Sequence, residues 1–397
     1  MKLSARVQKV KPSITLAITA KAKEMKGQGL DIVGFGAGEP DFDTPDNIKQ
    51  AAIKAINEGQ TKYTPAGGTA ELKKAVQAKF KRENNLDYGL SQIIVNCGAK
   101  HTLYNIFQAI VSDGDEVIIP APYWVSYPDM VLLADGTPVI VETKEENNFE
   151  ITVEDLKKAI TPKTRAIVIN SPSNPTGCVY SKDSLQKLGD YLKDKDIYII
   201  SDEIYEHLLY DKTEFFSIAN TSPAVKESCI VVNGVSKAYS MTGWRIGYAA
   251  GPENVIKAIN TIQSQSTSNP TSIAQAASVE ALNGDQACIG KMLKEFSARR
   301  VYMVERLNAI AGISCPMPLG AFYTFPNISG LIGKSYNGTV INGSVEFSDI
   351  LLKEAGVAVI PGAGFGAEGY VRLSYAISME NIKKGLDKLE AFVGKLS

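Results

Sequence analysis

Five short apolar runs rich in Ile and Val constrain the fold of this chain more than any other feature. They are Ile93-Ile94-Val95, Glu116-Val117-Ile118-Ile119, Ala166-Ile167-Val168-Ile169, Ile197-Tyr198-Ile199-Ile200 and Cys229-Ile230-Val231-Val232. Within three residues each meets Gly, Pro, Asn or Asp, which end extended structure. A strand with one wet face alternates apolar and polar residues, whereas an unbroken apolar run belongs to a strand covered on both faces. Helical patterns separate the runs, as in the stretch from His101 to Ile110. Strands alternating with helices predict an α/β domain with a mainly parallel sheet, here from about residue 46 to 290. The ends read differently. Residues 13 to 26 and 290 to 310 predict helices, and Val357 to Ile360 and Tyr370 to Ser374 predict strands. Residues 1–45 and 291–397 are expected to form a second, smaller α/β domain.

At 397 residues the chain can bury two cores. Its formal net charge of -1 gives no electrostatic case for nucleic acid or an anionic membrane. Lys9, Lys11, Lys21, Lys23 and Lys26 cluster near the start and read as a solvated helix face. No run approaches the ~20 apolar residues that span a bilayer. The first residues form no apolar core of a secretion signal. Five scattered cysteines without a C-x-x-C pair point to a reducing, cytoplasmic setting rather than a disulfide framework. With only two histidines, His101 and His207, no His-based metal site is expected. Chemistry must therefore come from Lys, Asp, Tyr, Arg and Asn, or from a cofactor.

Ligands of open α/β sheets bind beyond the carboxyl ends of the strands. Gly98-Ala99-Lys100, Trp124, Asn174, Asp202 and Lys237 all follow predicted strands closely. Five strand ends with polar or aromatic groups suggest one shared pocket. Gly98 opens a turn into a helix, whose first N–H groups suit a phosphate; an ordinary strand-to-helix turn reads the same way. Asp202, at the end of a buried run, needs a cationic partner, or serves as a cap or ion pair. Lys237 is either a surface charge or a desolvated amine able to attack a carbonyl.

The segment Gly234-Val235-Ser236-Lys237-Ala238-Tyr239-Ser240-Met241-Thr242-Gly243-Trp244-Arg245-Ile246-Gly247 resembles the lysine signature of class I aminotransferases, of the pyridoxal phosphate enzymes of fold type I. Ala37 to Phe42, Tyr63-Thr64-Pro65, Asn170 to Gly177, Ser201 to Tyr205 and Gly320 to Tyr323 follow in the family's order, so the resemblance spans the chain. It implies a large cofactor domain with a mainly parallel sheet and a smaller α/β domain built from both ends. It implies that Lys237 holds pyridoxal 5'-phosphate as a Schiff base and later shuttles the substrate's proton. Asp202 would pair with the ring nitrogen, Tyr205 and Asn174 would bond the ring's phenolic oxygen, and Trp124 would stack on the ring. Gly98, Ala99, Lys100 and Arg245 would hold the phosphate, with Tyr63 reaching in from the partner of a homodimer. Where many relatives place Ser or Thr three residues before the lysine, this chain has Gly234, which makes Ser236 the candidate for that contact. Arg372 and Gly38 would receive the substrate α-carboxylate.

Pro122 to Pro128 and Ser201 to Leu208 are most similar to the bacterial aspartate aminotransferase subgroup. That similarity implies amino transfer between amino acids and 2-oxo acids, aspartate and 2-oxoglutarate first, with Lys100 at the distal carboxylate and Trp124 and Asn174 also facing substrate. Lys11 is the candidate cation for prephenate as a further substrate. Three alternatives stand beside this reading: an aromatic or alanine aminotransferase or β-lyase on the same scaffold, a dinucleotide enzyme, and a non-catalytic relative. Gly364 to Gly369 fits G-x-G-x-x-G, but it leads into a predicted strand instead of the helix that a dinucleotide site requires.

Overall fold

The computed structural model describes residues 2–12 and 14–397. Seven strands form the main sheet: β1 (Ile93–Asn96), β2 (Glu116–Ala121), β3 (Thr137–Glu142), β4 (Thr164–Asn170), β5 (Tyr198–Asp202), β6 (Cys229–Gly234) and β7 (Gly247–Ala250). Their spatial order is β1-β7-β6-β5-β4-β2-β3. Only β7 runs against its neighbours β1 and β6; the other pairings are parallel. The five apolar runs each became a strand. The period of two sends alternate side chains to opposite faces. Cys229 and Val231 enter one buried cluster, and Ile230 and Val232 enter another on the far face. Both faces are therefore dry, as the unbroken runs predict.

Two strands had no such run. β3 lies at the sheet edge with Pro138 in it and Ile140 40% exposed. An edge strand tolerates proline and needs no continuous apolar sequence. β7 is Gly247-Tyr248-Ala249-Ala250, whose small residues have weak strand preference. It is a strand because both neighbours pair with it along its whole length.

A separate core joins Phe35, Phe296, Met303, Leu351, Leu373 and Leu386, from the two chain ends, with Tyr205, Leu208 and Tyr210, which follow β5. The helices expected near both ends span Ile14–Gly27 and Ala287–Asn308; Ser13, inside the first predicted range, lies outside the described residues. The run Val357 to Ile360 is not one strand. Val357–Ala358 pairs with Val33–Gly34, whereas Ile360–Pro361 pairs with Val371–Ser374, so the chain changes partner at Val359. The lysines near the start lie on exposed or half-buried positions, with Lys9 paired to Asp135 and Lys21 to Asp349. Among the described residues no helix is long and apolar enough to cross a membrane.

β7 meets the helix Ala99–Ile110 at its start. A methyl group added to Gly247 would lie 2.2 Å from the Ala99 nitrogen and 2.5 Å from the Gly98 carbonyl carbon, both backbone atoms that have little room to yield. Overpacking of this kind costs about 1–3 kcal/mol. Gly247→Ala is expected to lose that much stability in urea unfolding, and an unchanged midpoint would show that the helix start yields freely.

Candidate active site

A cavity of about 530 Å³ opens beyond the carboxyl ends of β4, β5 and β6. Gly38, Ala99, Lys100, Trp124, Asn174, Asp202, Tyr205, Ser236, Lys237, Arg245 and Arg372 all line it. Residues from the sheet and from both chain ends thus meet in one space.

Asp202 ends β5 and is 4% exposed. Its Oδ2 accepts a hydrogen bond from the Tyr127 hydroxyl at 2.6 Å, and Oδ1 accepts one from the Ile204 N–H at 3.3 Å. Burial pushes the carboxyl above its usual range, opposed by those hydrogen bonds and by the charge on Lys237. Among the described residues no lysine or arginine forms an ion pair with it.

Lys237 follows β6, and its Nζ donates to the Gly38 carbonyl at 2.6 Å. The rings of Tyr205 and Phe322 lie 5.6 and 5.8 Å from the nitrogen, centroid to Nζ. Burial, then the charge on Arg372, lowers the ammonium pKa to about 8, against the pull of Glu39. More of the amine is therefore neutral and nucleophilic near neutral pH than in an exposed lysine.

The opposite end of the cavity suits an anion. Ala99 and Lys100 are the first two residues of their helix, and their N–H groups have no carbonyl within it to bond. Gly98 has φ 91°, and a Cβ there would lie 2.3 Å from Arg245 Nη2, so the guanidinium rests against the turn. Ser236 is 6% exposed and faces the same space. The absence of Ser or Thr at Gly234 has a local reason: its Cβ would stand 3.0 Å from the Gly247 Cα and the Ile246 carbonyl oxygen. Lys100 Nζ lies 4.9 Å from the Trp124 ring centroid at the rim.

On the wall toward the chain ends, Arg372 is 3% exposed. Nη1 donates to Asn174 Oδ1 at 2.9 Å and Nη2 to the Gly36 carbonyl at 3.0 Å. The guanidinium lies over Tyr323, 4.4 Å from the ring centroid, and buried Nε has no partner. Tyr323 and Tyr205 share a hydrogen bond between hydroxyls at 2.9 Å.

Tyr63 is not part of this cavity. It is 91% exposed and lines a separate hollow with Lys62 and Ser272. Lys11 is exposed and sits beside Asp129, which also neighbours Lys100. Tyr127, Asn170, Tyr323, Glu39 and Thr242 line the cavity without having been assigned a role from sequence. All but Thr15, Leu16 and Thr19 of the remaining wall fall inside or beside the motif segments. The missing signal was contact: nothing local in Pro122 to Pro128 says that Tyr127 turns toward Asp202. Gly364 to Gly369 forms a short 3-10 turn and then Val371–Ser374, with no helix to receive a dinucleotide phosphate.

A lysine of lowered pKa, a buried carboxylate and an anion-binding helix start on a doubly covered parallel sheet define a site for amine chemistry on a small anionic ligand. The chain belongs to the aminotransferase class I and II family, whose model matches residues 31–389. It is 53% identical over 98% of its length to an aspartate aminotransferase of Bacillus sp. (strain YM-2), covering 99% of that protein. It is 52% identical to an aspartate/prephenate aminotransferase of Nitrosomonas europaea, over 99% of this chain and 100% of that one. The crystal structure of the aspartate aminotransferase from Rhizobium meliloti superposes with a TM-score of 0.97 at 46% identity, covering 100% of both chains. That of Thermus thermophilus with maleate gives 0.93 at 46% identity, covering 99% of this chain and 100% of that one.

Acylation of Lys237 by an amine-directed reagent, followed by peptide mass mapping across pH, is expected to show a midpoint near 8 in cofactor-free protein. A midpoint at the ordinary lysine value of 10.5 would mean that the amine is solvated.

Proposed function

We propose that this aminotransferase exchanges amino groups between L-aspartate and 2-oxoglutarate, using pyridoxal 5'-phosphate on Lys237. The observation that carries the reading is the placement of a desolvated lysine, a buried carboxylate lacking a protein cation, and an anion-binding turn around one cavity. These groups fit the cofactor end to end: a carbonyl carbon for the amine, a ring cation for Asp202 and a phosphate for the helix start. When bound, the cofactor supplies a carbonyl that condenses with amines and a ring that withdraws electrons from the substrate's Cα–H bond.

The chain's own groups then have distinct tasks. Asp202, steadied by Tyr127, holds the proton on the ring nitrogen. The Ala99 and Lys100 N–H groups, Arg245, Gly98's open turn and Ser236 bind the phosphate. Trp124 covers a ring face, and the Tyr205 hydroxyl and Asn174 amide hydrogen-bond the ring oxygen. Lys237 Nζ would hold the cofactor and, as a free amine, would carry the proton from the substrate Cα to the cofactor's former carbonyl carbon. Arg372 offers a planar fork to the α-carboxylate, which also satisfies its unpartnered Nε, beside the glycine backbone at Gly38. Lys100 meets the distal carboxylate.

In this reading residues 46–290 are the cofactor domain, and residues 1–45 with 291–397 are the smaller one, which brings Gly38 and Arg372 to the substrate. The protein is a cytoplasmic homodimer in which exposed Tyr63 reaches the partner's phosphate site. Prephenate is a second substrate candidate: Lys11 and cavity-lining Lys100 both neighbour Asp129, and Lys11 is the candidate second cation for a longer dicarboxylate.

The absorbance spectrum of purified protein tests cofactor and reaction together. A visible band that converts on adding aspartate to the amine form of the cofactor is expected; a colourless protein that takes up no pyridoxal phosphate would overturn the reading. Lys100→Ala is expected to raise KM for aspartate about tenfold, the loss of about 1.4 kcal/mol of charge-assisted contact, with less effect on alanine. Equal effects on both would remove Lys100 from the distal carboxylate.

A further inference from the structure

The turn after β5 has two sides. Asp202 and Tyr205 face the cavity, while Glu206 points into the protein and is 5% exposed. Glu206 Oε1 accepts from Lys79 Nζ, and it also accepts from Asn233 Nδ2 at 2.6 Å. Oε2 accepts from Asn84 Nδ2 at 2.6 Å. Lys79 is 0% exposed, and its Nζ also donates to Asn84 Oδ1 at 2.7 Å. Lys79 and Asn84 belong to the helix Ala70–Asn84; Asn233 belongs to β6, four residues before Lys237. The Asn233 side chain in turn accepts the Gly234 N–H at 2.7 Å, at the start of the segment that leads to the lysine. One carboxylate therefore ties together the turn that carries Asp202, the strand that carries Lys237 and a helix packed behind both.

The ionic character of this junction is settled by its partners. Burial alone would raise the Glu206 carboxyl, but the charges of Lys79 and His207 and the hydrogen bonds from Lys79 and Asn84 together hold the group below its usual range. Glu83, Glu206 and His207 bring ligand-type atoms within 4.8 Å of one another, and the Lys79 ammonium, 3.7 Å from Glu83, is the cation that serves this cluster. A buried pair contributes little net stability compared with an apolar pair of the same size. Its geometric effect is larger: every bond to Glu206 has a fixed direction, and the partners sit on two other elements, the helix Ala70–Asn84 and β6.

We propose that Glu206 is a positioning residue that fixes the Asp202 carboxylate relative to the Lys237 amine by bonding Lys79, Asn84 and Asn233 at once. The proposal rests on the pyridoxal phosphate reading only for what the placement is used for. The two cavity groups must meet opposite parts of one rigid ring, so a shift of either segment misplaces proton transfer.

The test is the paired substitution Lys79→Met/Glu206→Met, which removes the junction without leaving an unpaired buried charge. In cofactor-free protein, the acylation midpoint of Lys237, about 8 in the parent, is expected to rise by about half a unit or more as the amine leaves its desolvated seat. With cofactor, kcat is expected to fall about tenfold while KM for aspartate changes less than about threefold. Lys79→Met/Glu206→Gln keeps an amide that can bond Asn84 and Asn233, and it is expected to restore both midpoint and kcat. If the first pair does not fold, Asn233→Ala, which cuts the arm to the lysine strand and leaves the ion pair, decides through the same midpoint. An unchanged or lowered midpoint in the folded variant, or no recovery with Gln, would overturn the proposal. A protein that takes up no cofactor would instead sink the functional reading, because the acylation readout needs none.

Discussion

Lys237 Nζ stands in a cavity it shares with Arg372 and Arg245, and most of the surrounding architecture bears on that placement. Burial makes the ammonium lose its proton more readily, and the charges of Arg372 and Arg245 add to the effect. The carboxylates of Glu39 and Asp202 oppose it, and the pKa comes to about 8. The balance needs each charge at its own distance. The Tyr127 hydroxyl, donating at 2.6 Å, holds the Asp202 carboxylate in its place.

Sheet topology provides the frame. β4, β5 and β6 are adjacent and parallel, so their carboxyl ends deliver Asn170, Asp202 and the Lys237 segment to the same edge. β7 runs the other way and returns the chain from Arg245 past the start of the helix Ala99–Ile110. Its first residue, Gly247, packs backbone to backbone against Gly98 and Ala99. A Cβ at Gly234 would also press on Gly247, at 3.0 Å from its Cα. One tight packing point thus shapes the anion-binding end.

Glu203 and Glu206 show how neighbouring carboxyls diverge with environment. Both are buried on the inner side of one turn. Glu203 bonds two hydroxyls, Ser201 and Ser217, and burial together with the Glu206 charge raises it to about 8. Glu206 has Lys79 and stays ionised. The inward-facing charge of Glu206 is therefore matched by the buried Lys79 ammonium, which is the condition under which burial of either is tolerable.

The sheet was legible in the sequence wherever burial on both faces demanded an unbroken apolar run, as in β1, β2, β4, β5 and β6. β3 and β7 were not, because an edge strand and a strand held by its neighbours need no such pattern. Asp202, Asn174, Lys237, Arg245 and Arg372 were readable from their motifs, and the fold brings them to one cavity. Tyr127 and Tyr323 were not singled out, since a tyrosine's direction is set by what it packs against. Glu206 sat unremarked in a motif whose inward side carries no local sign. The sequence by itself determined the residue types, the strand and helix periods and the family, because these depend on local spacing and covalent order. Only the tertiary structure decided which carboxylates are charged, which lysine is desolvated and which segments share one carboxylate, because charge state and burial depend on neighbours that are distant in the chain.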